Sequence, residues 1–316
     1  MELLVVLLVA GAGSAPLLRH GVAAEPRLAT AATVFCGVFV QAFPFLVLGI
    51  VISGLIAAFV TADLVARWLP RRPALAVVVA AIAGIALPGC ECGSVPIARR
   101  LYGDGRSTGA AALAFMLAAP AINPVVLVST AVAFPGAPAM VGARAAASLT
   151  TAVIVGWVWT RYGQPSWVTA SMAGPECRTD SRTSVFVEAA RHDFLHAGSY
   201  LVLGAAAAAA LHVLVPRSLV ESMPGHLVMG IAVMSALAVV LALCSEADAF
   251  VAAGMSMVPL LPRLVFLVVG PAVDLKLFAM QAGMFGRSFA VRFAPLTFVV
   301  AVGCATAVGL VVLGGQ

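Results

Sequence analysis

The sequence predicts an all-α integral membrane protein built from two internally repeated halves in inverted orientation. Three observations carry this reading. Charged residues make up 10% of the 316-residue chain and hydrophobic ones 62%, against about 25% charged in an ordinary soluble domain, which excludes a soluble globular enzyme. The charge-free runs Leu28–Ala62, Ser107–Ala143, Phe194–Pro216, Ser222–Ser245 and Phe293–Gln316 all reach the ~20 apolar residues that a helix needs to cross a bilayer. None alternates apolar and polar residues as a barrel strand does, so the spans are helices. Lastly, a set of landmarks recurs at nearly constant spacing in the two halves.

Taken in order, the punctuation predicts helices over 3–18, 30–60, 74–89, 108–134, 139–160, 194–215, 226–244, 263–285 and 293–313. The first resembles a signal peptide but has no basic residue before its apolar run, so it is expected to be a retained helix. Residues 1–29 then form an N-terminal helix and loop, 30–160 a first membrane repeat and 194–316 a second. Between them, 161–193 carries Arg161, Glu176, Arg178, Asp180, Arg182, Glu188, Arg191 and Asp193 with Pro165 and Pro175. That composition predicts a polar cytoplasmic linker.

The halves align through four landmarks. Phe45-Leu-Val-Leu-Gly49 matches Tyr200-Leu-Val-Leu-Gly204, and the following proline breaks lie 70 − 49 = 21 and 224 − 204 = 20 residues on. Cys90 lies 41 residues after Gly49 and Cys244 40 after Gly204. Ala119-Pro-Ala-Ile-Asn123 then matches Gly270-Pro-Ala-Val-Asp274. If the Cys90 and Cys244 segments dip into the membrane and return, Arg67, Arg71, Arg72, Arg99, Arg100, Arg106, Arg161, Arg178, Arg182, Arg191, Arg287 and Arg292 share one side. Arg19, Arg27, Arg144, Arg217 and Arg263 then lie opposite, a split of 12 to 5. Full crossing would give 10 to 7. The positive-inside rule prefers the re-entrant arrangement, which inverts the halves and puts the linker in the cytoplasm.

The segment Leu87-Pro-Gly-Cys-Glu-Cys-Gly-Ser-Val-Pro-Ile-Ala-Arg-Arg-Leu101 holds the densest chemistry. Pro88, Gly89, Gly93 and Pro96 are expected to unwind the backbone, and unwound backbone at membrane depth is tolerated only inside protein or against a water-filled cavity. Cys90 and Cys92 beside Glu91 suit a soft metal, a metalloid or thiol exchange, and both are possible metal ligands. In the second half Cys244 is followed by Glu246 and Asp248, and Asp274 and Lys276 stand inside a span. Charges at that depth face a partner or a pathway. Asn123, between Pro120 and Pro124, is the first-half counterpart of Asp274. Cys90, Glu91, Cys92, Asn123, Cys244, Glu246, Asp248, Asp274 and Lys276 are thus the expected substrate-binding residues. Cys36 and Cys304 read as small buried hydrophobes.

The stretches Pro88-Gly-Cys-Glu-Cys-Gly-Ser-Val-Pro-Ile-Ala-Arg-Arg-Leu101, Met116-Leu-Ala-Ala-Pro-Ala-Ile-Asn-Pro124, Cys244-Ser-Glu-Ala-Asp-Ala-Phe250 and Gly270-Pro-Ala-Val-Asp-Leu-Lys276 resemble the predicted-permease family of YraQ-like proteins and ArsP organoarsenical exporters. The likeness is closer to the YraQ-like branch. The resemblance implies a multi-pass permease of the bacterial inner (plasma) membrane working beside a second membrane subunit.

No Gly-x-x-x-x-Gly-Lys-[Ser/Thr] phosphate loop is present, so the expectation is a secondary transporter, not an enzyme. Its solute would be a small thiophilic or anionic species, a soft metal or metalloid included, moved outward and bound near mid-membrane. A membrane thiol-disulfide oxidoreductase using Cys90 and Cys92 and a non-transporting scaffold are the alternatives. The net charge of +5 forms no basic run dense enough for nucleic acid, the partner is the lipid bilayer, and no cofactor is identified.

Overall fold

The computed structural model describes residues 26–59, 70, 72–86, 91–102, 106–168, 182–214, 227–245, 247–255 and 258–313. The expected helix at 3–18, Cys90, Cys177 and Glu246 lie outside the described residues. Helix is the regular structure among them: α1 (Pro26–Phe59), α2 (Pro73–Ala83), α3 (Glu91–Leu101), α4 (Arg106–Ile122), α5 (Pro124–Ala133), α6 (Ala139–Tyr162), α7 (Arg182–Leu214), α8 (Leu227–Leu241), α9 (Asp248–Gly254), α10 (Leu260–Ala272), α11 (Leu275–Met284) and α12 (Arg287–Val312). Among the described residues, four stretches are long and apolar enough to cross a membrane, namely Thr108–Ala133, Ala139–Tyr162, Leu260–Met284 and Arg287–Val312.

Local sequence explains the boundaries. Pro73 sits at the first turn of α2, where a missing N–H costs nothing. Asn123 precedes Pro124, whose ring forces it into extended backbone (φ −70°, ψ 157°). Its side chain then accepts from Val126 N and caps α5. Asp274 caps α11 in the same way, accepting from Leu277 N. The predicted spans 108–134 and 263–285 are therefore each two helices broken at a capped residue. Pro120 has no N–H for the Met116 carbonyl four residues back, and that carbonyl accepts from Ser94 Oγ at 3.2 Å instead.

Two expectations are corrected. The four breakers do not unwind all of 88–96: α3 is helical from Glu91 through Gly93 and Pro96. Gly93 serves packing, since a Cβ on Gly49 of α1 would fall on the Gly93 backbone, a close approach of helices that only small residues permit. The helix predicted over 194–215 also starts early, because α7 begins at Arg182, inside the stretch read as linker, and carries its polar residues as helical turns. Ala242, at φ 46°, turns the chain out of α8 in the left-handed region usually left to glycine.

α2 and α3 are 11 residues each, about 16 Å long and too short to cross alone. Trp157 Nε1 donates to Ala74 O at the start of α2 (3.1 Å), and Trp159 Nε1 lies 3.4 Å from Tyr102 Oη just past the end of α3. The open ends of this α2–α3 pair therefore share the Tyr162 end of α6. In the second half, a Cβ on Gly230 at the start of α8 would meet Pro262 at the start of α10, and one on Gly309 near the end of α12 would meet Leu261. Helices α6 and α12 lie side by side, and Trp159 near the end of α6 packs on Phe289 and Phe293 near the start of α12, ring centroids 5.1 and 5.5 Å apart. They run antiparallel.

Small residues set the remaining spacing. Gly84 lies against Ala119, and Gly156 against Val77 and Ala114. The core accordingly divides into one cluster around α3, α4 and α11, with Phe285, Phe289 and Phe293, and another around α10. α2 packs on α4 as α8 does on α10, α3 lies on α11, and α9 lies on α5.

Two outcomes are expected. Gly49→Ala forces α1 off α3 and lowers thermal stability, by roughly the 1–3 kcal/mol of an overpacked core, whereas Gly37→Ala, with nothing within 4 Å of its Cβ, leaves the melting temperature unchanged. Single cysteines at Arg72 and Arg106, which flank α2 and α3, are labelled by an impermeant thiol reagent from the same membrane side.

Candidate functional site

The fold brings five of the sequence-predicted residues together. Glu91 is the first residue of α3, and Cys92 follows it; both are buried. Lys276 is the second residue of α11, two residues after the Asp274 cap. Its ammonium is fully buried and is hydrogen-bonded to Glu91 Oε1. Cys244 Sγ lies 3.9 Å from Lys276 Nζ and Asp274 Oδ2 4.0 Å. Cys92 joins the group as the buried neighbour of Glu91 in α3. Glu91 comes from the first half and Lys276 from the second, 185 residues apart.

Electrostatics explain the arrangement. A buried cation in an apolar protein needs a carboxylate close by, and a carboxylate at a helix start gains from the partial positive charge of the exposed N–H groups. α3 and α11 meet this need together. They lie side by side and parallel, joined at their starts by Glu91 and Lys276 and at their ends by Arg99 Nε, which donates to Met284 O at 2.9 Å. Arg99 also stacks over Phe285 at 5.6 Å. Asp274 stands outside the helix that Lys276 begins, so the pair is arranged by the cap and not by spacing along a regular helix.

A second buried pair lies where α5, α6 and α9 meet. Asp248 is the first residue of α9, as Glu91 is of α3. Its Oδ2 accepts from Arg144 Nη2 at 2.8 Å, and the same nitrogen donates to Ser245 O at 3.0 Å. Arg144 Nη1 donates to Thr130 Oγ1 at 2.8 Å, and Thr130 in turn donates to Val126 O at 2.7 Å. This pair also joins the halves, 104 residues apart. Sequence reasoning counted Arg144 as a solvated topology charge, but it is 0% exposed; removing it leaves four arginines on its side against 12. The usable signal was its place inside the predicted span 139–160.

Of the remaining expected residues, Asn123 is buried and holds the break between α4 and α5, its Nδ2 donating to Ala119 O at 3.1 Å. Cys90 and Glu246 border the two clusters in sequence but lie outside the described residues. Cys304 is buried beside Thr151, and Cys36 is exposed on α1, which corrects the reading of Cys36 as a buried hydrophobe. Among the described residues no three His, Cys, Asp or Glu side chains come together as a metal site, so the geometry of a Cys90–Cys92 metal site is not given by them.

A family model described as a predicted permease matches residues 27–312. The UPF0718 protein YcgR of Bacillus subtilis is 34% identical over 276 residues, covering 85% of this chain and 93% of that one. A Streptococcus mutans protein named "Putative two-component membrane permease complex subunit" is 30% identical over 268 residues, 82% of this chain and 88% of its own. No solved structure matches.

Lys276→Met leaves the Glu91 carboxylate buried beside an apolar side chain. It is expected to cost ~3–5 kcal/mol, read as a large fall in melting temperature in detergent. Glu91→Gln in the same chain restores most of that loss.

Proposed function

The chain belongs to the predicted-permease family and is a multi-pass membrane protein, and from that premise we propose a secondary transporter of the bacterial inner membrane that exports a small thiophilic or anionic solute. The observation that carries this is Lys276: one fully buried ammonium shared by a carboxylate of the first half, a carboxylate of the second and the Cys244 thiol. The solute meets this cluster. Cys92 and Cys244, with Cys90 next in sequence, offer soft donors, and Lys276 attracts negative charge. Cys90 and Cys92 are the pair proposed to hold a soft metal or metalloid.

The halves, 30–160 and 194–316 joined by the cytoplasmic linker, are proposed to be inverted repeats. In support, α1 to α6 and α7 to α12 follow one order of long, short, short, broken pair and long helices. The α2–α3 pair opens at the Tyr162 end of α6, the contacts of Gly230 and Gly309 put the entry to α8 and α10 at the Val312 end of α12, and α6 and α12 are antiparallel. Half-helices that begin inside the protein with their starts together, here α3 and α11 at Glu91 and Lys276, are the common frame for a midplane ion or solute site.

Asp274 is proposed to couple transport to a proton or cation. It occupies the place of Asn123, a neutral amide making the same cap, so one half has a titratable group where the other has none. The second membrane subunit stands on the printed name of the Streptococcus relative.

In vesicles carrying only this protein, with expression matched, Cys90→Ser plus Cys92→Ser reduces efflux of the metalloid, metal or sulfur compound that the wild type moves best to background; wild-type rates in that variant would remove the thiol site. Asp274→Asn retains folding, because asparagine caps as Asn123 does, and loses the dependence of transport on the pH gradient. A large fall in the melting temperature of Asp274→Asn would instead make Asp274 a structural lock.

A further inference from the structure

The Arg144 cluster is apart from the thiol site and carries an unused set of donors. Arg144 Nη1 and Nη2 are engaged by Thr130, Ser245 O and Asp248. Arg144 Nε, Ser148 Oγ and Ser245 Oγ are buried and make no hydrogen bond among the described residues. Ser148 lies one helical turn from Arg144 on the same face of α6, and Ser245 already touches the guanidinium through its carbonyl. Arg144 and Ser245 are 0% exposed and Ser148 is 4% exposed. Leaving a buried polar group unmade is costly, and three at one arginine point to a group that accepts hydrogen bonds.

The chemistry of that group follows from the donors. A guanidinium presents a planar fork of N–H bonds that fits a carboxylate, sulfate or phosphate, and two hydroxyls beside it add neutral donors. In the described arrangement the Asp248 carboxylate occupies part of that fork. Asp248 begins α9, an element of only seven residues.

We propose that Arg144, Ser148 and Ser245 form a second intramembrane binding site, for a small oxyanion, in which the Asp248 carboxylate stands in for the ligand when the site is empty. The anion takes the Arg144 fork as Asp248 leaves it, and the two hydroxyls and Nε complete its shell. Binding at this site breaks the ion pair that ties α9 to α6. The site does not depend on the identity of the solute at the thiols.

The test uses purified full-length protein in a nonionic detergent, with sulfate and inorganic phosphate as probes, read by thermal shift and by binding of the radiolabelled anions. Asp248→Asn removes the internal competitor and leaves the fork. It binds sulfate or phosphate at concentrations lower by on the order of tenfold or more than wild type, and Arg144→Gln added to it abolishes the gain. A folded Asp248→Asn protein with no gain in anion binding overturns the proposal. If Asp248→Asn is not recovered folded, Ser148→Ala plus Ser245→Ala decides. That variant keeps the ion pair and deletes unmade hydroxyls, so its melting temperature without anion is unchanged or higher, while the anion-induced shift of wild type is lost. An equal shift in the two proteins, or none in wild type, overturns the site.

Discussion

The bond between Lys276 and Glu91 is the constraint on which the arrangement of the halves rests. A lysine with no exposed surface inside a chain that is 62% hydrophobic has to meet a carboxylate, and the carboxylate that meets it belongs to the other half. Satisfying that one charge fixes the start of α3 against the start of α11. Arg99 and Met284 O then fix their far ends. Two helices too short to span thereby become one parallel unit, and Gly49 and Gly93 let α1 lie directly on it. The glycines act by allowing contact; in a bilayer there is no hydrophobic drive between helices, so close packing and polar bonds have to hold them.

Breaking helices at depth creates a second requirement, since every freed carbonyl and N–H must find a partner inside the protein. The chain meets it with side chains of the broken segments themselves. Asn123 and Asp274 cap α5 and α11, Ser94 takes the Met116 carbonyl that Pro120 leaves, and Arg144 takes the Ser245 carbonyl in the turn before α9. The residues that carry chemistry are thus also those that make the breaks tolerable. Their two duties are not separable by burial alone, which is why variants that keep the hydrogen bond and change the charge are informative.

Much of this was legible in the sequence. Charge-free runs gave the helical membrane class, and the prolines at 120, 124 and 271 marked the breaks in two predicted spans. The chemistry of Glu91, Cys92, Cys244, Asp274 and Lys276 was visible as polar atoms where none should be, and the fold gathers all five. What stayed hidden depends on distance between segments. No local signal pairs Glu91 with Lys276 across 185 residues. Gly93 and Pro96 read as breakers because helix propensity counts them so, whereas packing against Gly49 overrides propensity. Arg144 was misread for a related reason: an arginine six residues into an apolar helix looks like an interfacial charge until an acid from the other half is found beneath it.

The two cross-half pairs differ in a way that follows from their cations. Lysine presents a compact point charge on a flexible stem, and arginine a rigid planar fork. Lys276 accordingly gathers three partners around one nitrogen, Glu91, Asp274 and the Cys244 thiol, and small movements redistribute its contacts without breaking them all. Arg144 is held by Thr130, Ser245 and Asp248 on separate hydrogens, so the Asp248 bond can break whole while the others hold. In the proposed transporter the first pair holds the solute. The second is suited to switch between two arrangements, and it is the only one of the two whose acid lies on a seven-residue helix after a strained turn at Ala242. An acid at the start of a short helix, matched to a cation of the other half, is therefore one architectural idea used twice, once graded and once all-or-none.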